Sequence, residues 1–578
     1  MSVVEDPHDV RIAVGATGLL RDLNRAGVLD AVDLHVAARV TTLAHDEDPL
    51  VALAVAVAVR AVRGGSVCVR LDGLVAEDDE VAWPDPATWR AAIAASPLTR
   101  DPEVLHLEDD RLYLDRYWRE EVQVCTDVLA RASTGRVERP EGLDRVFPLT
   151  GYDEQRDAAA LALAQPTTVL TGGPGTGKTT AVAGLLALLA EQAEQQGAPR
   201  LRIALAAPTG KAAARLQQAV EKEVGNLRDE ADRGRLAGLR AMTLHRLLGT
   251  RPDTSARFRH HRDNRLPHDV VVVDEASMVS LTMMARLLEA LRPDARLVLV
   301  GDPDQLASVE AGAVLADLVD GLGARRDVEV AALATSHRFG EAIGALAAAV
   351  RDGRADDAVA LLRQGDPHVV FEETEDPGPV LRDVLLPRAR QLRLAGLDGA
   401  ADEALALLDG HRLLCAHRDG PHGVHHWNHQ VERWLSEELT EGLWSAWYPG
   451  RPFLVTANDY GLGIYNGDTG AAVLRRGVLR AVVAGVTGPL DLATSRVSDV
   501  ETMHAMTIHK SQGSQAGEVT VLLPDVESRL LTRELLYTAI TRAQDRVRVV
   551  GSEASVRAAV DRPVGRASGL RERLREGG

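Results

Sequence analysis

The residues best placed to do chemistry lie at 172–180, reading Gly172-Gly173-Pro174-Gly175-Thr176-Gly177-Lys178-Thr179-Thr180. The pattern is G-x-x-x-x-G-K-T, set between a strand-like run (Val169-Leu170-Thr171) and an apolar, helix-forming run over 181–190. Glycines at such a junction let backbone N–H groups turn inward and cradle phosphates at a helix N-terminus, where the helix dipole also favours an anion. In this pattern the lysine reaches the β- and γ-phosphates and the next hydroxyl holds Mg²⁺, which gives those roles to Lys178 and Thr179. A nucleoside triphosphate is the expected ligand. The chain writes arginine almost everywhere else: of 66 Lys and Arg residues only Lys178, Lys211, Lys222 and Lys510 are lysines. Where lysine persists, a compact ammonium is a candidate requirement. Lys222, between Glu221 and Glu223, reads instead as a solvated helix face.

A second group follows in Val270-Val271-Val272-Val273-Asp274-Glu275-Ala276-Ser277. Four β-branched residues make a strand buried on both faces of a parallel sheet, and its two carboxylates emerge at the C-terminal end, beside the phosphate loop. Asp274 is expected to bind Mg²⁺ and Glu275 to take a proton from the attacking water as general base. A third run, Leu297-Val298-Leu299-Val300, leads into Gly301-Asp302-Pro303-Asp304-Gln305. Gln305 is placed to sense the γ-phosphate.

These groups need a frame. From 149 to 327 apolar strands alternate with helices, with strands expected at 168–171, 202–207, 270–273 and 296–300. That alternation is the signature of a parallel α/β sheet. A second α/β block runs from 328 to 578, interrupted at about 440–500 by short alternating runs that read as a small β insertion. An acidic stretch at 371–379 reads as a surface loop. Residues 1–125 show helical periodicity over 13–44 and 50–62, then short strands at 104–107 and 111–114, and read as a docking domain joined through a linker at 126–148.

Composition sets outer bounds. A chain of 578 residues with 45% hydrophobic content supports three or four packed domains. Cys68, Cys125 and Cys415 are far apart and lack metal-ligand spacing, as in a reduced cytosolic protein. The N-terminus has neither the basic nor the apolar region of a signal peptide. The longest apolar run, 50–59, stops at Arg60 and is too short to span a bilayer, so a soluble, cytoplasmic protein without membrane contact is expected. A net charge of −18 argues against a protein that coats nucleic acid non-specifically, while a narrow basic channel remains compatible with it.

Further motifs in fixed order give a specific resemblance, covering nearly the whole chain. Leu149-Thr150-Gly151-Tyr152-Asp153-Glu154-Gln155, Ala207-Pro208-Thr209-Gly210-Lys211, Thr243-Leu244-His245-Arg246, Ser336-His337-Arg338-Phe339-Gly340, Thr507-Ile508-His509-Lys510-Ser511-Gln512-Gly513-Ser514 and Tyr537-Thr538-Ala539-Ile540-Thr541-Arg542-Ala543 accompany the phosphate-site groups. The set resembles superfamily 1 DNA helicases of the RecD family, the alpha subunit of exodeoxyribonuclease V. Arg257-Phe258-Arg259-His260-His261, the Asn458-Asp459-Tyr460-Gly461-Leu462-Gly463 run with Asn466-Gly467-Asp468, and 110–118 are similar to less common pieces of that family.

The resemblance implies two RecA-like motor domains, a helical N-terminal domain, and an SH3-like insertion in the second motor domain. It implies that Gln155 reads the adenine edge and that Gln512 and Gly513 join 172–180 in holding the nucleotide. Arg338 and Arg542 would be arginine fingers. Pro208, Thr209, Lys211, His245, Thr507, His509, Lys510 and Ser511 would contact DNA. The implied activity is ATP- and Mg²⁺-dependent unwinding with 5′→3′ movement, in a heterotrimer with exodeoxyribonuclease V beta and gamma subunits that processes double-strand DNA ends in recombinational repair. Nuclease activity would belong to the complex, since no carboxylate cluster in this chain reads as a cleavage site. One position departs from the family: Gln515 stands where a glutamate is usual, and carries no charge. Trp427, Trp434, Trp444, Trp447 and Tyr448 could stack on bases or fill the core.

Other readings compete. A stand-alone RecD-like helicase usually has a longer N-terminal extension than the 150 or so residues preceding Gln155. An assembly subunit with a vestigial ATPase would not need Lys178, Thr179, Asp274, Glu275, Gln305, Arg338 and Arg542 together. A P-loop kinase would not need the motifs of the second block.

Overall fold

The structure is a computed structural model that describes residues 9–577 apart from 78–82, 101, 133–141, 148–149, 252–253, 326–327, 329, 336–339, 439–444, 460 and 486–487. The first α/β domain holds a six-stranded sheet in the order Ala331–Leu333, Thr167–Gly172, Arg296–Gly301, Val270–Val273, Ile203–Ala207 and Ala241–Thr243. Every neighbouring pair is parallel. Val271, Val272 and Val273 have no exposed surface, as their place in the middle of a sheet covered on both faces requires. Because the strands run the same way, all their C-terminal ends share one edge. Five segments leave from that edge: the phosphate loop after Gly172, Asp274-Glu275 after Val273, Asp302 after Gly301, Pro208-Thr209 after Ala207, and Leu244-His245 after Thr243.

The second α/β domain carries a five-stranded parallel sheet, ordered Val369–Glu373, Ala543–Gly551, Ala516–Leu522, His411–Cys415 and Ala505–Thr507. Thr507 ends its edge strand. Inserted between the helix Val424–Glu438 and that strand is an antiparallel sheet ordered Leu490–Ala493, Val478–Val483, Thr469–Arg475, Pro452–Val455 and Val500–Thr502. It has its own small core around Phe453, Ile464 and Val483. The stretch 371–379 is in part ordered structure: Val369–Glu373 is an edge strand paired with the strand ending at Gly551.

In the N-terminal region, the helical run over 13–44 divides into Gly18–Arg25 and Ala31–Ala44. Gly27 turns the chain with φ of 71°, a conformation open to glycine, and Asp30 with Asp33 forms a capping box that restarts the helix. Leu105–Glu108 and Arg111–Leu114 form a hairpin, which Cys68–Arg70 extends to three strands. The helix Asp115–Arg131 runs straight through position 125 and packs on Leu281–Ala290 of the first α/β domain. The end of the chain also crosses a boundary. The helix Leu570–Glu576 leaves the second domain to pack against Val314–Gly323 of the first, burying Leu570 and Leu574 in that domain's core. The three cysteines are free and buried. Among the described residues no helix is long and apolar enough to cross a membrane.

Candidate functional site

A cleft of about 760 Å³ opens where the C-terminal edge of the first sheet faces the second domain. Its first wall is the phosphate loop. Gly175 and Gly177 both adopt φ of 84°, and the helix Lys178–Gln195 starts directly behind them. A Cβ on Gly177 would lie 2.7 Å from the side-chain nitrogen of Gln155, so that position is closed to any larger residue. Lys178 Nζ donates to the carbonyls of Gly172 and Gly173 at 2.5 and 2.9 Å, holding the ammonium over the loop. Thr176 is buried and its hydroxyl donates to Gly173 O at 3.0 Å, which makes it a shaping residue. Pro174, Thr179 and Thr180 line the cleft.

Gln155, expected to read the adenine edge, lines the cleft beside the phosphate loop. It is buried, and its Nε2 donates to Thr176 O at 2.8 Å, so the amide nitrogen braces the loop backbone. Gly151 and the partly exposed Tyr152 line the outer cleft beside it.

Asp274 and Glu275 leave the central strand into the cleft. Burial, with Glu275 as a like-charged neighbour, pushes the Asp274 carboxyl up to about 6, against the opposing pull of Lys178 and Arg215. Glu275 holds φ of 51°, a left-handed conformation that costs a non-glycine residue about 1 kcal/mol. That strain aims its side chain across the cleft.

The second domain closes the site through bonds to the segment after Gly301. Arg542 is buried, and its Nη2 donates to Gln305 Oε1 at 2.6 Å. Gln305 Nε2 donates in turn to Asp302 Oδ2 at 2.9 Å, and Tyr537 OH donates to the same oxygen at 3.1 Å. The Leu306 N–H donates to Thr538 Oγ1 at 2.9 Å, while Gln512 Nε2 donates to Leu306 O at 2.8 Å. The arginine and the glutamine are thus one unit spanning two domains, and the bond between them is charge-assisted. Arg338 lies outside the described residues. Gln515 lines the cleft, with its amide oxygen accepting from Gln544 at 3.2 Å.

Asp302, Tyr537 and Thr538 lie inside the sequence motifs without a role of their own there, and Arg215 lies outside them. Arg215 lines the cleft one helical turn beyond Lys211, and that i,i+4 spacing was a usable signal. Tyr537 and Asp302 are 235 positions apart and gave none.

The residues expected to touch DNA fall into two groups. Thr209 caps the helix Gly210–Asn226, its hydroxyl accepting from the Ala212 N–H at 3.2 Å, and His245 is exposed against Phe258. Lys211 Nζ donates to Gly467 O of the β insertion at 3.1 Å, and burial pushes its ammonium down to about 8. From the second domain, Thr507 Oγ1 accepts from the Lys510 N–H at 3.2 Å and Ser511 Oγ donates to Ile508 O at 2.6 Å. Lys510 pairs with Glu501 at 2.8 Å. Burial, helped by Arg566, pushes His509 down, keeping the imidazole neutral. Gly513 lies against Ala212, so the two groups converge on the start of one helix. Pro208 precedes that cap. Trp427 and Trp434 are core residues, Tyr448 is buried, and Trp447 packs edge-on against Phe453; Trp444 lies outside the described residues.

A phosphate loop on one sheet and a buried arginine from another suit an enzyme whose hydrolysis is tied to movement between domains. That defines the class: a phosphate-loop ATPase whose two parallel-sheet domains meet at the nucleotide cleft. Comparison with known proteins agrees. Residues 155–311 match the AAA domain family, 502–550 the UvrD-like helicase C-terminal domain, and 25–113 the family described as RecBCD enzyme subunit RecD, N-terminal domain. A protein named RecBCD enzyme subunit RecD from Mycobacterium tuberculosis is 65% identical over 573 residues, covering 99% of both chains. One of the same name from Mycolicibacterium smegmatis is 64% identical over 96% of this chain and 99% of its own. The ATP-dependent RecD2 DNA helicase of Deinococcus radiodurans is 31% identical over 81% of this chain and 59% of its own. Among solved structures, Bacteroides Pif1 bound to ssDNA is similar with a TM-score of 0.39 and 17% identity, covering 70% of this chain and 92% of that one. The chain belongs to the RecD family of DNA helicases.

Proposed function

We propose that this helicase is the 5′→3′ motor subunit of a RecBCD-type complex in the cytoplasm, working with beta- and gamma-type partners on double-strand DNA ends. The near full-length match to proteins named as RecBCD subunits supports the complex. The observation that carries the mechanism is the chain Arg542–Gln305–Asp302–Tyr537, which crosses the domain boundary at the point where a γ-phosphate would lie.

The donors facing the loop suit Mg²⁺: the Thr179 hydroxyl and the Asp274 carboxylate are hard oxygen ligands, and Asp274 is a carboxyl raised by burial that a cation would relieve. Bound there, Mg²⁺ would neutralise charge on the phosphates. Lys178 leaves the loop carbonyls for the β- and γ-phosphates. Glu275 takes the proton of the attacking water. Gln305 positions that water and γ-phosphate, and Arg542, carried on the second domain, balances the charge that develops. Arg338 is assigned the second finger by its motif. Gln155 supports the loop, and Gln512 and Gly513 tie the nucleotide state to the DNA-contacting segment at 507–511.

Hydrolysis then changes which domain holds the strand. Pro208, Thr209, Lys211 and His245 grip from the first domain, and Thr507, His509, Lys510 and Ser511 from the second. The domain limits of this reading are 1–125 for docking, 126–148 as connection, 149–327 and 328–578 as motors, with the insertion at about 440–500; the helix Asp115–Arg131 carries the docking region on to 131, and Leu570–Glu576 docks back on the first motor. Single-strand-stimulated ATP hydrolysis by the chain in its reconstituted complex tests the proposal. Stimulation that depends on Arg542 supports it, and hydrolysis indifferent to both DNA and Arg542 contradicts it.

A further inference from the structure

His509 of the 507–511 segment also lines a second cleft, of about 640 Å³, together with residues of the N-terminal region and the second α/β domain. His509 and Leu306 form part of its floor. Arg529, Arg562 and Arg566 line one wall, and Arg60 with Trp83 the other. Arg562 donates to the carbonyls of Ser528 and Val526 at 2.7 and 3.3 Å, and Arg566 to those of Ser308, Glu310 and Gly312 at 2.5 to 3.3 Å. Neutral carbonyls orient a guanidinium without cancelling its charge. Among the described residues, Arg529, Arg562 and Arg566 have no carboxylate within ion-pair distance, and Arg529 is exposed with its head free. Elsewhere in this chain arginines are extensively paired with acids, as Arg573 is with Glu121 and Arg145 with Glu191. Glu527 lines the same cleft and Glu534 lies close enough to Arg566 to act on its charge, so Arg529, Arg562 and Arg566 leave a local excess of positive charge in a chain of net charge −18.

We propose that this cleft carries the single strand onward from the 507–511 segment, so that the N-terminal region forms one wall of the DNA path. The proposal rests on the DNA-contacting role given above to His509. Phosphodiesters are the anions that fit, because His509 lines the cleft and because two of its arginines, Arg562 and Arg566, are fixed by backbone carbonyls while Arg529 stands free at the surface, rather than closing a cage around one small ion. Trp83 adds an indole wall against which a base can lie; it is already stacked on Trp89 with ring centroids 6.1 Å apart.

The test uses the full chain in its complex and two fluorescein-labelled oligo-dT strands. One just spans the two motor domains and the other is longer by about 8 nucleotides, within the range that one binding module covers. Arg529→Glu is expected to weaken binding of the long strand about tenfold and to lower the slope of log affinity against log salt by about one, as loss of a phosphate contact does. Binding of the short strand should stay unchanged, and so should ATP hydrolysis stimulated by it. Trp83→Ala should likewise weaken only the long strand. Equal affinity of wild type and Arg529→Glu for the long strand would overturn the proposal, as would equal losses on both strands. If Arg529→Glu instead releases an acidic protein from the complex while DNA binding is unchanged, the cleft belongs to that protein and the proposal fails. Absence of binding to either strand by the wild type would overturn the DNA-contacting role of His509 itself.

Discussion

At the scale of single residues, the site depends on a few charges held where water cannot screen them. Lys178 rests on two loop carbonyls, ready to exchange them for phosphate oxygens. Lys178→Gln keeps a hydrogen-bond donor but shortens the side chain and removes the charge. It is expected to cut ATP hydrolysis by at least about a hundredfold, the scale seen when one transition-state contact is lost, with an unchanged melting temperature. Hydrolysis at the wild-type rate would remove Lys178 from the mechanism. Arg542 presents a planar fork to Gln305, the Thr538 carbonyl and the Ser514 carbonyl together. A lysine cannot reproduce that geometry, so Arg542→Lys should lose about a thousandfold in hydrolysis while nucleotide binding, followed by a fluorescent ATP analogue, changes only a few-fold. Lys178, Asp274 and Glu275 are legible as candidates because each sits in a short local pattern, and Arg542 through the family resemblance. Asp302 and Tyr537 lie within motifs, but their partnership exists only after two distant segments meet. Gln155 was placed in the right neighbourhood, yet its bond to Thr176 could only be seen in three dimensions.

At the scale of elements, the parallel sheet explains why residues from five separate segments share one edge. Those strands were readable from runs such as Val270–Val273, since a strand buried on both faces must be apolar throughout. The break at Gly27 and the passage of Asp115–Arg131 through position 125 were not, because periodicity reports an exposed and a buried face without saying which domain supplies the cover. The same holds for Leu570–Glu576, whose apolar face is completed by the first domain. That docking has a titratable marker. Burial raises Asp317, opposite this helix, from the usual 3.8 to about 7, with Arg571 3.7 Å away. A carboxyl raised in the folded state binds more protons there than when unfolded, so its contribution is greatest at acid pH and falls as pH rises through that interval. Asp317→Asn should therefore melt close to wild type near pH 4, and increasingly above it from pH 5 to pH 8 in thermal denaturation. A difference in melting temperature that is constant with pH would contradict this assignment.

At the scale of the whole molecule, the two motor domains meet at the nucleotide cleft, along the 507–514 segment, and where Lys211 reaches the β insertion. The N-terminal region is joined to both. Gly312 of the first motor domain donates to Gly65 O at 2.9 Å, and Val67 donates to Ala567 O at 2.8 Å in the segment that leaves the second. The region expected to dock partners is thus hydrogen-bonded to both motor domains. ATP hydrolysis at this cleft is expected to drive movement along one strand in the 5′→3′ sense. The most direct measurement is strand displacement from duplexes with a single 5′ or 3′ tail, using the reconstituted complex with only this motor active and Lys178→Gln as control. Unwinding is expected from 5′ tails alone and to vanish in the control; unwinding from 3′ tails alone, or undiminished by Lys178→Gln, would contradict it.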